Sequence, residues 1–167
     1  FRVIMDDWNA GFNKIDSRLK SRRVVVQAGG HCGVYPLLYR KGFRNTITME
    51  PDLLNFYCLV QNCNDYMITK LNTAVGDKCE FVNMGIVSYV NTGMNKVLPR
   101  GVSGISAYCI TIDSLKLQEV DLIHLDVEEH EYKAIKGAVN TIKKWKPLIV
   151  LEMPVQEKQD KIQSLMK

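Results

Sequence analysis

The chain has 167 residues, 46% hydrophobic and 24% charged, proportions of an ordinary folded domain that exclude disorder and a collagen-like repeat. No apolar run approaches the ~20 residues needed to cross a bilayer, and no signal peptide opens the chain. A net charge of +4, spread over scattered lysines and arginines, lacks the dense basic stripe of a nucleic-acid binder, so no nucleic-acid partner is expected.

Residues 1–23 read as a helical or irregular lead-in, and 24–167 as one domain. The sequence begins with Phe1 rather than Met, so it reads as a piece of a longer product. Val24-Val25-Val26 is β-branched throughout and fits a strand buried on both faces. The glycine-rich turn Gln27-Ala28-Gly29-Gly30-His31-Cys32-Gly33 follows. A helix is then predicted from Val34 to Lys41, stopped by Gly42. Thr46 to Met49 is the second strand, ending at Glu50-Pro51. The next helix carries Leu53, Phe56, Tyr57 and Val60 on one predicted inward face and ends near Asn62.

Met67 to Val75 reads as a third strand, turned by Gly76-Asp77 into a short strand at Glu80-Phe81-Val82. Periodicity disappears between Gly85 and Gly104, which predicts a long, mobile functional loop. Ile105 to Ile112 resumes strand character. Asp121 to Leu125 is a buried strand ending at Asp126. Glu129 to Lys144 then predicts one amphipathic helix with Tyr132, Ile135, Val139 and Ile142 inward, and Pro147 bars its continuation. Leu148 to Leu151 is the last strand, ending at Glu152, and a polar, helical tail starts at Gln156.

Alternating strands and helices predict an α/β fold with a mainly parallel sheet and helices on both faces. Right-handed crossovers bring the C-terminal strand ends to one edge, where Gln27, Glu50, Asn72, Asp126 and Glu152 lie. Ligands of open α/β sheets bind at that edge. Glycines at 29, 30 and 33 allow a tight turn and close approach to a ligand, and the helix after them offers N–H groups to an anion. Glu50, one strand later, can accept hydrogen bonds from both hydroxyls of a ribose. Together these indicate a nucleoside-bearing cofactor. A dinucleotide site prefers Gly-x-Gly-x-x-Gly; here the order is Gly-Gly-x-x-Gly, which looks more like the methyltransferase turn, whose ligand is an amino-acid moiety rather than a pyrophosphate.

Asp126-Val127-Glu128-Glu129-His130-Glu131 clusters acids after a buried strand. Part of the cluster suits a helix N-terminus, and clustered carboxylates can also supply a general base or hold a divalent cation. The five cysteines, Cys32, Cys58, Cys63, Cys79 and Cys109, include no Cys-x-x-Cys pair. They read as reduced thiols of a cytoplasmic protein, with no metal site.

These blocks resemble the FkbM-type methyltransferases. The resemblance runs through Val24 to Gly33, Met49-Glu50-Pro51 and Ala74-Val75-Gly76-Asp77. It continues through Ile112-Asp113-Ser114-Leu115, Asp121 to Glu128, Glu131, Lys136-Gly137-Ala138 and Ile149 to Glu152. It implies a Rossmann-like class I methyltransferase fold, without the usual C-terminal hairpin, that uses S-adenosyl-L-methionine. Gln27, Ala28, Gly29, Gly30, His31 and Gly33 would hold its methionine end, Glu50 and Pro51 the ribose, and Asn72, Thr73 and Ala74 the adenine. Asp126 would border the reacting centre, with Glu128 and Glu131 as an acidic pair; the base would be Asp126 or Glu128, then His130. The implied acceptor is a hydroxyl of a sugar, glycan or small metabolite. Three residues depart from the family pattern: Gln27 replaces an acid, His31 a common Asn, and Glu129 a glycine. The alternatives are a cofactor-binding module without turnover and a nicotinamide-dependent oxidoreductase.

Overall fold

A computed structural model describes residues 3–5, 17–85, 92–152, 162 and 164. Among them, β1 (Val3–Met5), β10 (Leu148–Leu151), β9 (Leu122–Leu125), β2 (Val24–Ala28), β3 (Asn45–Met49) and β4 (Ile68–Leu71) form a six-stranded sheet in that order. Every pairing within it is parallel. The lead-in thus contributes a strand, which takes the place beside β10. No described helix is long and apolar enough to cross a membrane.

The central strands are buried on both faces, and their side chains divide with a period of two. Val26, Ala28, Ile123, Leu125, Ile149 and Leu151 pack with Ala134, Ile135, Ala138 and Ile142. Val25, Leu122, Leu148 and Val150 pack with Tyr39 and Phe43 on the other face. The second group belongs to the side of α1 (Val34–Arg40), and the first to that of α3 (Glu131–Lys136) and α4 (Val139–Trp145). The helices therefore cover both faces, as the alternation of elements predicts.

Four expectations change. First, Met67 to Val75 is not one strand. The chain leaves β4 at Asn72 and Thr73 and enters β5 (Ala74–Val75), which belongs to a second sheet ordered β5, β8 (Ile105–Ile110), β6 (Glu80–Gly85), β7 (Lys96–Val97). Second, part of the expected long loop is structured: Thr92–Met94 is a 3-10 turn, and β7 pairs antiparallel with β6. Residues 86–91 lie outside the described residues, as does most of the polar tail.

Third, the buried face of α2 (Leu53–Asn62) is only partly the stripe that carries Leu53, Phe56, Tyr57 and Val60, since of these Phe56 packs against buried Leu59. Asn55 and Leu59 are buried, whereas Leu53, Leu54 and Tyr57 are 68%, 73% and 64% exposed. Two stripes compete on this helix, and polar Asn55 is admitted to the interior because Thr92 satisfies its amide through a pair of hydrogen bonds. Fourth, the helix after Asp126 is two helices, broken at Gly137-Ala138. Tyr132 is exposed and Val139 half-buried, while Ile135 and Ile142 point inward as expected. A Cβ at Gly137 would stand 1.9 Å from the Gly76 carbonyl oxygen, so the break lies where two backbones touch.

Candidate active site

The chain runs β2, β3, β4 outward on one side of the sheet, crosses through the second sheet, and returns as β9 on the other side of β2. Strand order therefore reverses at β2, and a cavity opens at the C-terminal ends of the strands there, as in other open α/β sheets. Its volume is about 340 Å³, within the range of small-molecule sites.

The glycine turn forms one wall. Gly29 and His31 are left-handed, with φ of 87° and 44°, a region open to glycine and tolerated by Asn better than by most side chains. That explains why Asn suits position 31 and why His31 is under strain there. The turn's donors are spent inward. Gly29 and Gly30 both donate to the Met49 carbonyl at 3.0 Å, and Gly33 to Gly30 at 2.8 Å. His31 N–H donates to Glu50 Oε2 at 2.8 Å. The turn thus presents a backbone surface cleared of side chains rather than an array of donors. Val34 and Tyr35, the first two residues of α1, also line the cavity.

Gln27 does not line it. The side chain is fully buried, donating to Gly29 O at 2.7 Å and accepting from the Thr48 hydroxyl at 2.5 Å. It braces the turn from behind. Gly33 also lies behind the wall, where a Cβ would meet Cys63 Sγ at 2.6 Å. Asn72 turns away too, its amide donating to the carbonyls of Glu50 and Pro51. Ala28, Gly29, Gly30, His31, Glu50, Pro51, Thr73 and Ala74 are brought together around the cavity.

Glu50 is 6% exposed. Its Oε1 accepts from Asp52 N–H at 2.8 Å and its Oε2 from His31. Burial raises its pKa, and those two backbone bonds oppose the rise. A hydrogen bond from the Asn55 side chain opposes the rise as well, and the carboxylate's remaining lone pairs are open to a ligand. Beside it, Asp52 caps α2 through the N–H groups of Leu54 and Asn55.

Asp126, Val127, Glu128, His130 and Glu152 line the far side. Burial, then a hydrogen bond and repulsion from Glu152, push Asp126 up to about 8. At neutral pH Asp126 therefore keeps its proton, hydrogen-bonded to Glu152. Glu128 is raised by burial and by Glu152, with Lys96 opposing. Burial, reinforced by Lys133, lowers His130 to about 4, so its imidazole is neutral. Glu128 and Glu129 are both left-handed, with φ of 46° and 70°, so Glu129 occupies a conformation made for the glycine it replaces. Glu131 stays out of the cavity. It is buried at the start of α3, where Oε1 accepts from Val127 N–H at 3.3 Å.

A further wall comes from Met84 of β6 and from the stretch expected to be a functional loop, with Thr92, Met94, Asn95, Lys96 and Val97, residues that the sequence did not single out. It is pinned over the Glu50 end by Thr92 to Asn55 and His31, and by Asn95 to Asp52. Lys96 reaches Glu129 at 3.3 Å. A two-residue strand carries too little periodicity to be seen in the sequence. Among the described residues, no group of three or more His, Cys, Asp or Glu side chains is arranged to hold a metal ion.

A sequence model of the methyltransferase FkbM domain matches residues 27–166. In fold, the chain is similar to the crystal structure of methyltransferase FkbM from Methylobacillus flagellatus KT, with a TM-score of 0.51 and 22% identity. That likeness covers 77% of this chain and 32% of the other, so the chain spans about a third of that protein's length. No curated protein sequence matches the chain significantly.

Proposed function

Because the chain belongs to the FkbM methyltransferase domain family, we propose that it transfers a methyl group from S-adenosyl-L-methionine to a hydroxyl of a sugar, glycan or small metabolite. The observation that carries this reading is the meeting of Glu50 and the Asp126–Glu152 pair around one cavity at the switch point of the sheet.

The residues fit such a cofactor. Gly29 and Gly30 leave room for its amino-acid end, Glu50 has lone pairs for ribose hydroxyls, and Thr73, Ala74 and Val75 offer a mostly apolar border to a base. When bound, the cofactor supplies an electrophilic methyl group. The protein's part is alignment and removal of the acceptor's proton. Asp126, which keeps its proton at neutral pH, anchors a hydroxyl beside Glu152. Glu128, less buried and facing Lys96, is the carboxylate free to take the proton; neutral His130 orients the acceptor.

Calorimetric titration with S-adenosylmethionine and S-adenosylhomocysteine tests the reading, and no binding of either would overturn it. Radiolabelled methyl transfer to a panel of hydroxyl acceptors then tests turnover. Gln27 favours a second reading, binding without turnover. It puts a neutral, internally bonded side chain where the family carries an acid, so the cofactor's ammonium gains no countercharge from it. Binding with no transfer to any acceptor would select that reading.

A further inference from the structure

We propose that Thr92 and Asn95 are positioning residues for Glu50, each acting through one of the two residues whose backbone holds its carboxylate. Oε2 accepts from the His31 N–H and Oε1 from the Asp52 N–H, both at 2.8 Å. The side chains of those same two donors are fixed by a single short stretch of chain. Thr92 Oγ1 lies 3.2 Å from His31 Nε2, and Asn95 Nδ2 donates to Asp52 Oδ2 at 3.1 Å. Four hydrogen bonds thus run in two branches from the 3-10 turn and the residue after it to the two oxygens of one buried acid.

The direction of each bond follows from what its partners can offer. The Thr92 carbonyl can only accept, so the Asn55 amide points its Nδ2 there, at 3.2 Å. Asn55 Oδ1 then faces the Thr92 hydroxyl and takes its single proton at 2.8 Å. With that proton spent, the hydroxyl oxygen accepts from His31, which fixes the imidazole with its hydrogen on Nε2. Asn55 is buried, so the amide that sets this order is itself held by packing. On the other branch, Asp52 spends Oδ1 on the N–H groups of Leu54 and Asn55 and keeps Oδ2 for Asn95.

A carboxylate that grips two neighbouring hydroxyls works best with both oxygens fixed before the ligand arrives. One left to rotate gives up part of its binding energy to being ordered. The left-handed backbone at His31 carries one of the two N–H groups that do the fixing, and the ring bond to Thr92 secures it from across the cavity. The consequence for a ribose rests on the methyltransferase reading; the bracing of Glu50 does not.

The test is a double-mutant cycle read by calorimetry with S-adenosylhomocysteine. Thr92→Val and Asn95→Ala should each weaken binding about fivefold, the worth of one hydrogen bond. In a Glu50→Ala background, or Glu50→Gln where alanine binds too weakly to measure, the same changes should cost less than about twofold. Losses that simply add would show Thr92 and Asn95 touching the ligand themselves and would overturn the proposal, as would no loss at all. A second measurement needs no ligand. Burial raises the Glu50 pKa while the Asp52 and His31 N–H bonds oppose the rise, so loosening them moves the titration of its isotope-labelled carboxyl to higher pH. Thr92→Val should show that shift by nuclear magnetic resonance, and an unmoved midpoint overturns the proposal. If the wild type binds no S-adenosylhomocysteine, the methyltransferase reading fails, and the titration alone decides the bracing of Glu50.

Discussion

Thr48 and Gln27 face each other as register partners on β3 and β2, and the threonine hydroxyl donates to the glutamine carbonyl at 2.5 Å. The other end of Gln27 holds the Gly29 carbonyl. Gln27→Ala leaves two buried polar groups without their partner, a cost of about 1–3 kcal/mol. Urea denaturation should show a loss of that size, and S-adenosylhomocysteine affinity should fall although Gln27 does not line the cavity.

Glu50 joins the turn, the cap of α2 and the cavity. Glu50→Ala removes the acceptor for two backbone N–H groups and the partner proposed for the ribose. Calorimetry should show at least tenfold weaker S-adenosylhomocysteine binding, about 1.4 kcal/mol, and Glu50→Gln should fall between Ala and wild type.

Asp126 gives stability an unusual pH dependence. Its pKa rises to about 8 in the folded state, against about 4 in an unfolded chain. The folded protein thus keeps a proton that the unfolded chain has released. The stability this group contributes is complete below about pH 4 and is lost progressively as the pH climbs to about 8. His124 and His130, both lowered to about 4, act in the opposite sense: their contribution is present above about 6.5 and is lost as the pH falls toward 4. Chemical denaturation between about pH 7 and 9 should therefore isolate Asp126 from the histidines. The wild type should lose stability over that interval, and Asp126→Asn should have a flatter profile there. Equal slopes would contradict the raised pKa of Asp126.

Glu129→Gly replaces a left-handed side-chained residue by one for which that conformation is open. Relief of about 1–2 kcal/mol is expected, less the small worth of an exposed ion pair with Lys96. A higher urea midpoint would bear this out, and a lower one would show that the Lys96 contact outweighs the strain.

Much of this architecture was legible in the residues, for identifiable reasons. β2, β9 and β10 stand out because burial on both faces demands unbroken runs of apolar residues. The turn and Glu50 are recognisable because chemistry restricts what can stand there. Other motif residues turn out to build the scaffold. Asp113 holds the start of α4 through the N–H groups of Asn140 and Thr141. Asp121 ties Ser21 and Arg23 to the opposite end of the sheet. The face of α2 was misread because helical period alone cannot say which of two stripes turns inward. Thr92–Val97 fell within the expected functional loop, but which of its residues face the cavity was not legible because its position depends on side chains distant in sequence, Asn55 and Asp52 above all.

The contact between Gly76 and Gly137 has a consequence for the width of the cavity. It is reinforced by the ion pair of Lys136 with Asp77 at 2.8 Å, so two short sequence blocks some sixty residues apart meet where the end of α3 touches the end of β5. Ala74 and Val75, immediately before Gly76, stand on the cavity wall. A single methyl group added at position 137 would therefore act as a shim, resetting the gap from outside while leaving every residue that faces it chemically unchanged.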